Sequence, residues 1–425
     1  MLSSVCVAVA SFLPVPDGVS GQQPLPIDSA LARPLLEAVS RSNPGLLAFR
    51  SAATAALTRA RAVGFAPPVV LSGEVEDVPG GTDFTGAGFR LELAKEFLTG
   101  GRADAARDVA GAAVTVAEAE LYAAELRTRA AAATAVVEAV GWMAIGRRLA
   151  QEDSLLLGAE QSLRVRFAVA DARYTDVLRL RTERLRVQTD RAEAIAESRV
   201  GTAALEALLG VGPTEAAPLI RTVRDASPVA VLPDELPPPP DLDAVLEISG
   251  RVRMAEAELT RARAERVAVL AEQRPRIAGA IGAQRVEGDG GGFAVGPTLG
   301  FSISLPFTAR TANRAAVDAA EGTVAAAETR LNATRAEVRA DLVAARTRYE
   351  AARERLSVFD AALLVGVRQE REGALAAYRS GELSLIELLD FERALARAEV
   401  ERRRAQMEAV VSLIHLLSGA AGQNP

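Results

Sequence analysis

The sequence predicts a mainly α-helical protein with a smaller β portion able to contribute to a membrane β-barrel. Three observations predict it: one order of elements runs twice along the chain, two helical stretches are far too long for a globular domain, and two pairs of alternating strands have bilayer-crossing length.

The repeat is visible at residue level. Leu57-Thr58-Arg59-Ala60-Arg61-Ala62 recurs as Leu259-Thr260-Arg261-Ala262-Arg263-Ala264. Chance can supply one such match in a chain rich in alanine and arginine, but both copies are followed by the same succession: helix, strand, Gly-rich loop, strand, long helix, short break, returning helix. In the first copy the helix ends near Gly64, Pro67-Pro68 breaks it, and Val69 to Asp77 is a strand. Pro79-Gly80-Gly81 turns the chain into Gly88 to Lys95, where Phe89, Leu91 and Leu93 alternate with Arg90, Glu92 and Ala94, the period-two signature of a sheet with unlike faces. In the second copy Pro275 ends the helix, Ile277 to Val286 is extended, and Glu287 to Gly292 is a glycine-rich loop. Leu299, Phe301, Ile303 and Leu305 then alternate with Thr298, Gly300, Ser302 and Ser304 before Pro306.

The long helices are expected over Arg102 to Phe167 and Thr311 to Tyr378, with returning helices ending near Leu209 and Leu417. A helix of about 60 residues extends ~90 Å, so the two hairpins must pack side by side as coiled coils or assemble with other chains. Between the copies, Pro228 to Pro240 reads as an extended linker that excludes helix. The organisation is therefore a leader over 1–23, a first repeat over 24–224, a linker over 225–241 and a second repeat over 242–425.

Composition agrees. Hydrophobic residues make up 49% of the chain but aromatics only 4%, the profile of long helices packed through small side chains. A formal charge of −6 lacks the basic surface that phosphate contact requires, so nucleic acid is not an expected partner. One cysteine and one histidine exclude an intrachain disulfide, a zinc finger and a Cys/His cluster; neither a metal site nor a cofactor is expected. His415, in the apolar run Val410 to Leu417, reads as a packed helix residue. The apolar stretch Leu2 to Val15, followed by small and polar residues to Gln23, resembles a secretory signal without its positive start. Ser3-Ser4-Val5 before Cys6 is a poor match to a lipoprotein signal. No later stretch has the ~18 to 20 apolar residues of a membrane-spanning helix, so any crossing must use strands.

Four strands are too few to close a barrel, and an open edge cannot face lipid. Three chains would supply twelve strands, an even number within the range of such barrels. Alternation alone is equally compatible with soluble hairpins capping a helical bundle.

Two segments carry a family resemblance: Gly300-Phe301-Ser302-Ile303-Ser304-Leu305-Pro306-Phe307, and Tyr378-Arg379-Ser380-Gly381-Glu382-Leu383-Ser384-Leu385-Ile386-Glu387-Leu388-Leu389-Asp390. With them the chain, from Asn43-Pro44-Gly45-Leu46 to Leu417, resembles the outer-membrane efflux proteins, the TolC-like channels, and within them most resembles the CzcC-type members associated with heavy-metal export. The resemblance implies a homotrimer with a twelve-stranded barrel in outer-membrane lipid and a twelve-helix tunnel reaching into the periplasm. Its implied partners are a periplasmic adaptor, or membrane fusion protein, and an inner-membrane RND-type pump.

The second segment lies where the long helix turns back, and Gly381 is the residue expected to let the chain reverse tightly. In the first copy the matching stretch is Phe167 to Leu178, with Ala170 in place of the glycine. The resemblance implies that these tips meet the adaptor, through Ala170, Arg173, Tyr174, Gly381, Ser384 and Leu385; alternatively they only shape the turns. Glu387 and Asp390, three residues apart, share a helix face. In a trimer each would form a ring of three carboxylates, a constriction that favours cations, and the resemblance implies that such acids line the closed periplasmic entrance. The ordinary alternative is a solvated helix face. The first copy has Asp176 and Arg179 at the equivalent places.

Two other classes compete. An adaptor would carry one hairpin flanked by soluble β domains, and two hairpins in tandem speak against it. A purely cytoplasmic coiled-coil scaffold is the second, and heat-resistant mobility as a trimer in membrane extracts would separate it from a channel. No constellation of nucleophile, base and orienting group marks an enzyme.

Overall fold

The structure, a computed structural model, describes residues 29–64, 67–76, 88–97, 100–170, 172–287, 293–304 and 310–419. The leader, Cys6, the Pro79-Gly80-Gly81 turn, the loop after Glu287 and the stretch from Leu305 to Phe307 lie outside the described residues.

The elements run in the predicted order. Helices α1 (Ser29–Ser42) and α2 (Pro44–Ala62) precede strands β1 (Val70–Glu76) and β2 (Gly88–Phe97), then the 67-residue α3 (Arg102–Ala168) and its return, α4 (Tyr174–Leu209). Helices α5 (Pro213–Asp225) and α6 (Pro228–Val231) lead through the linker to α7 (Leu242–Glu247) and α8 (Gly250–Glu272). Strands β3 (Arg276–Glu287) and β4 (Phe293–Ser304) follow, then α9 (Arg310–Val358), α10 (Leu364–Ser380) and the return, α11 (Leu385–Ser418). The repeated hexapeptides lie in α2 and α8.

Three expectations are corrected. The linker is not free of helix: Pro228 opens the four-residue α6, because a proline at the first helical position sacrifices an N–H that would be unpaired anyway. β4 starts at Phe293 and runs through Pro297, which an edge strand tolerates. The second long helix is not uniform; Phe359–Leu363 is a π-turn between α9 and α10. That turn brings Asp360 onto Arg402 of α11, whose guanidinium also donates to Asp234 of the linker at 3.1 Å.

The strands form one antiparallel sheet in the order β1-β2-β3-β4, so the β2–β3 pairing joins the repeats. Cross-strand partners share a face, and the register sorts most side chains by polarity. One face carries Leu71, Val75, Phe89, Leu91, Leu93, Ile281, Val295, Leu299, Phe301 and Ile303, all exposed. The other carries Ser72, Glu74, Arg90, Glu92, Gln284, Thr298 and Ser302. No described helix is long and apolar enough to cross a membrane.

The core lies where the hairpins meet. On α3, Ala132, Ala133, Ala135, Val136, Val137, Ala139 and Val140 are buried. Small residues let backbones approach: a Cβ added to Gly201 of α4 would lie 2.8 Å from the Ala139 nitrogen. Ser198, one turn earlier, donates to the Ala139 carbonyl at 2.8 Å. The linker is tied across this waist. Buried Gln406 of α11 donates to the carbonyls of Leu232 (2.9 Å) and Pro233 (2.8 Å), and the Tyr349 hydroxyl donates to Pro237.

Candidate functional site

The two turns at the far ends of the hairpins have one geometry built from different residues. In the first, α3 ends at Ala168, Ala170 takes a left-handed φ of +61°, and Arg173 caps α4. In the second, α10 ends at Ser380, Gly381 takes φ +82°, and Ser384 caps α11. The left-handed residue stands three positions before the cap in both. Ala170 thus adopts the glycine conformation despite its Cβ, and replacement of the glycine leaves this part of the turn unchanged.

The caps differ. Ser384 forms a capping box: its Oγ accepts the Glu387 N–H at 3.3 Å, and the Glu387 carboxylate accepts the Ser384 N–H at 2.8 Å. The Ser384 backbone N–H first, and then the Ser384 hydroxyl, hold the exposed Glu387 carboxyl below the usual carboxylate range. Arg173 supplies no side-chain cap; its carbonyl accepts from Asp176 N–H at 3.1 Å.

The tip surfaces differ as well. Around the first, Phe167 and Tyr174 stack with ring centroids 5.5 Å apart, and both are exposed beside Val165 and Val169. At the second, Leu385 and Ile386 pack partly against the core, while Gly381 and Ser384 are exposed. The named tip residues therefore do reach the surface, with Leu385 half-buried.

Glu387 and Asp390 are both exposed and flank the buried Leu388 and Leu389 on the first turns of α11. Asp390 is not a bare carboxylate. Arg393 lies 2.7 Å from it on the same helix, and Arg179 of α4 lies 3.5 Å from its other oxygen. The buried Arg393 also reaches Glu183 of α4 at 3.6 Å, and Arg186 pairs with Glu183 at 2.8 Å. A chain of alternating charge thus ties the return helix of one repeat to that of the other. Reading the sequence set Arg179 and Asp390 at equivalent places but did not find that they meet; Arg393 and Glu183 were missed. The Asp390/Arg393 spacing of three was the available signal. Among the described residues no cluster of His, Cys, Asp and Glu could hold a metal ion.

Two tandem hairpins share a four-stranded sheet with one largely apolar face, and solved structures of the TolC-like fold superpose on this arrangement. Residues 242–419 match the family model described as outer membrane efflux protein. A membrane protein from Pseudomonas aeruginosa superposes with a TM-score of 0.75 at 19% identity, over 92% of this chain and 94% of that one. CusC superposes with a TM-score of 0.74 at 16% identity, over 95% and 96%. The outer membrane protein VceC from Vibrio cholerae gives 0.70 at 18% identity, over 92% and 96%. No curated protein matches the sequence. The resemblance to the outer-membrane efflux proteins holds: α7 to α11 match their family model, and the whole chain has the TolC-like fold.

Proposed function

We propose that the chain is the outer-membrane channel of a tripartite efflux pump, a passive exit duct rather than an enzyme. The observation that carries this reading is the division of the sheet into one largely apolar and one polar face, at the end of two hairpins whose longest helix, of 67 residues, extends ~100 Å. A four-stranded sheet leaves β1 and β4 as open edges, which lipid does not tolerate. Three chains joined edge to edge give a homotrimer with a twelve-stranded barrel and a twelve-helix tunnel. The apolar face then meets outer-membrane lipid and the polar face lines the duct.

In this reading the tips point into the periplasm and receive the adaptor, with Ala170, Arg173, Tyr174, Gly381, Ser384 and Leu385 as its contacts. The exposed apolar group around Phe167 and Tyr174 supports an adaptor contact at the first tip. Glu387 and Asp390 form the entrance, with Asp390 held by Arg179 and Arg393 in the closed state. An inner-membrane RND-type pump selects the cargo. Heavy-metal cations are the proposed cargo, on the resemblance to CzcC-type members, and the channel passes them without binding them: the chain has four methionines, one cysteine and one histidine. The chain is divided as leader 1–23, repeats 24–224 and 242–425, and linker 225–241.

Fractionation tests the reading. The protein should co-sediment with the outer membrane, run as a detergent-dependent trimer, and expose a tag placed between β3 and β4 to antibody on whole cells. A monodisperse monomer in detergent-free buffer, with the tag shielded, overturns it.

A further inference from the structure

One side chain breaks the apolar pattern of the outward sheet face near its helix-proximal end. Along β2 that face presents Phe89, Leu91, Leu93, Lys95 and Phe97, all exposed, while Arg90, Glu92 and Glu96 turn to the other side. Lys95 is the only lysine among the 49 basic residues of the chain. It stands two residues before β2 ends, on the side of the sheet that leads into α3. Its cross-strand partner is Gly279, beyond which lies Phe301. The Phe97 ring fills the space over Gly279, where an added Cβ would be 3.3 Å away. The Lys95 stem is thus bordered by Leu93, Phe97 and Phe301, and no carboxylate pairs with its amine among the described residues.

A flexible four-carbon stem running past aromatic rings to a hydrated ammonium suits the boundary between hydrocarbon and headgroups. Toward the hairpin loops the same face continues through Leu93 and Leu91 to Phe89, whose partner across the sheet is Arg285. The six residue steps from Phe89 to Lys95 span ~20 Å along the strand. Two cationic levels therefore stand on this face, ~15 Å apart along the normal of a barrel whose strands tilt by ~35–45°.

We propose that Lys95 binds phospholipid phosphate in the leaflet nearest the helices and sets the depth at which the sheet rides in the membrane. This rests on the reading that the apolar face meets lipid. The partner is a phospholipid headgroup of the periplasmic leaflet, not a surface glycolipid.

Lys95 carries the only side-chain amine of the chain, and peptide mapping separates its adducts from those of the N-terminal α-amine. The full-length protein is reconstituted in vesicles containing phosphatidylethanolamine and treated with a short amine-to-amine cross-linker. A Lys95–lipid adduct is expected in the peptide mass spectrum, absent from Lys95→Arg and from phosphatidylcholine vesicles. In whole cells an impermeant amine reagent should reach Lys95 only after the outer membrane is permeabilised. Protein that floats with vesicles but gives no adduct, or Lys95 labelled equally in intact cells, overturns the proposal while leaving the barrel standing. Protein that does not float with vesicles overturns the barrel reading itself.

Discussion

Arg179 and Asp390 each lie six residues beyond the cap of a return helix, one in each repeat, and their side chains meet at 3.5 Å. Both are about half exposed, so the pair contributes little to stability, about 0–1 kcal/mol. Its value is positional, since it links the tip-proximal turns of the two return helices.

The first prediction concerns that link. Arg179→Gln or Asp390→Asn should raise single-channel conductance of the reconstituted protein, and the exchange Arg179→Asp with Asp390→Arg should bring it back toward wild type. Unchanged conductance in both single variants would remove the pair from the gate. Adding Glu387→Gln to Asp390→Asn should also lower cation selectivity, read as a smaller reversal potential in a salt gradient.

A second prediction uses the two left-handed residues. Nothing lies within 4 Å of a Cβ built on Gly381, so Gly381→Ala acts through the backbone alone. It should destabilise by about 1–2 kcal/mol, and Ala170→Gly should stabilise by a similar amount less the entropy of the added glycine. Thermal unfolding in detergent compares the two; shifts of the same sign would contradict the shared geometry.

Close packing of α3 on α4 makes a third. Gly201→Ala would place a Cβ 2.8 Å from the Ala139 nitrogen and 3.1 Å from the Ala135 oxygen, both backbone. Overpacking of this kind costs about 1–3 kcal/mol. Gly158→Ala, on α3 with nothing within 4 Å, should instead stabilise by about 1 kcal/mol. Urea midpoints of the two variants should move in opposite directions.

The fourth concerns pH. Burial, and then the nearby charge of Arg348, lower the pKa of His415 from its ordinary 6.5. The unfolded chain therefore binds a proton more readily than the folded one. The contribution of His415 is complete above about pH 6.5 and is lost as pH falls from there through the lower folded value. His415→Gln should flatten that part of the stability curve; an unaltered slope would assign it to other groups.

The sheet was legible because period two is a strong signal when one face is apolar, as Phe89, Leu91 and Leu93 against Arg90 and Glu92 make plain. The long helices were legible from length, and the tips from Gly381. What escaped depends on relations between distant segments. Whether Asp390 meets Arg179 is set by how far α11 slides along α4, which neither helix encodes alone. The Phe359–Leu363 π-turn escaped because its i→i+5 bonding uses residues that suit an ordinary helix equally well. The short α6 was hidden by prolines that usually forbid helix but can open one.

That π-turn has a consequence for anyone exchanging parts between the repeats. Successive helical residues point about 100° apart, so one residue taken up in a wider turn rotates everything beyond it. The α3 rod has no such slip, and its tip therefore keeps an azimuth that α10 does not. A chimera spliced above Phe359 would aim the transplanted tip in the wrong compass direction, whereas one spliced below Leu363 would preserve its heading. Heat stability and trimer formation of the two chimeras would read out that difference directly.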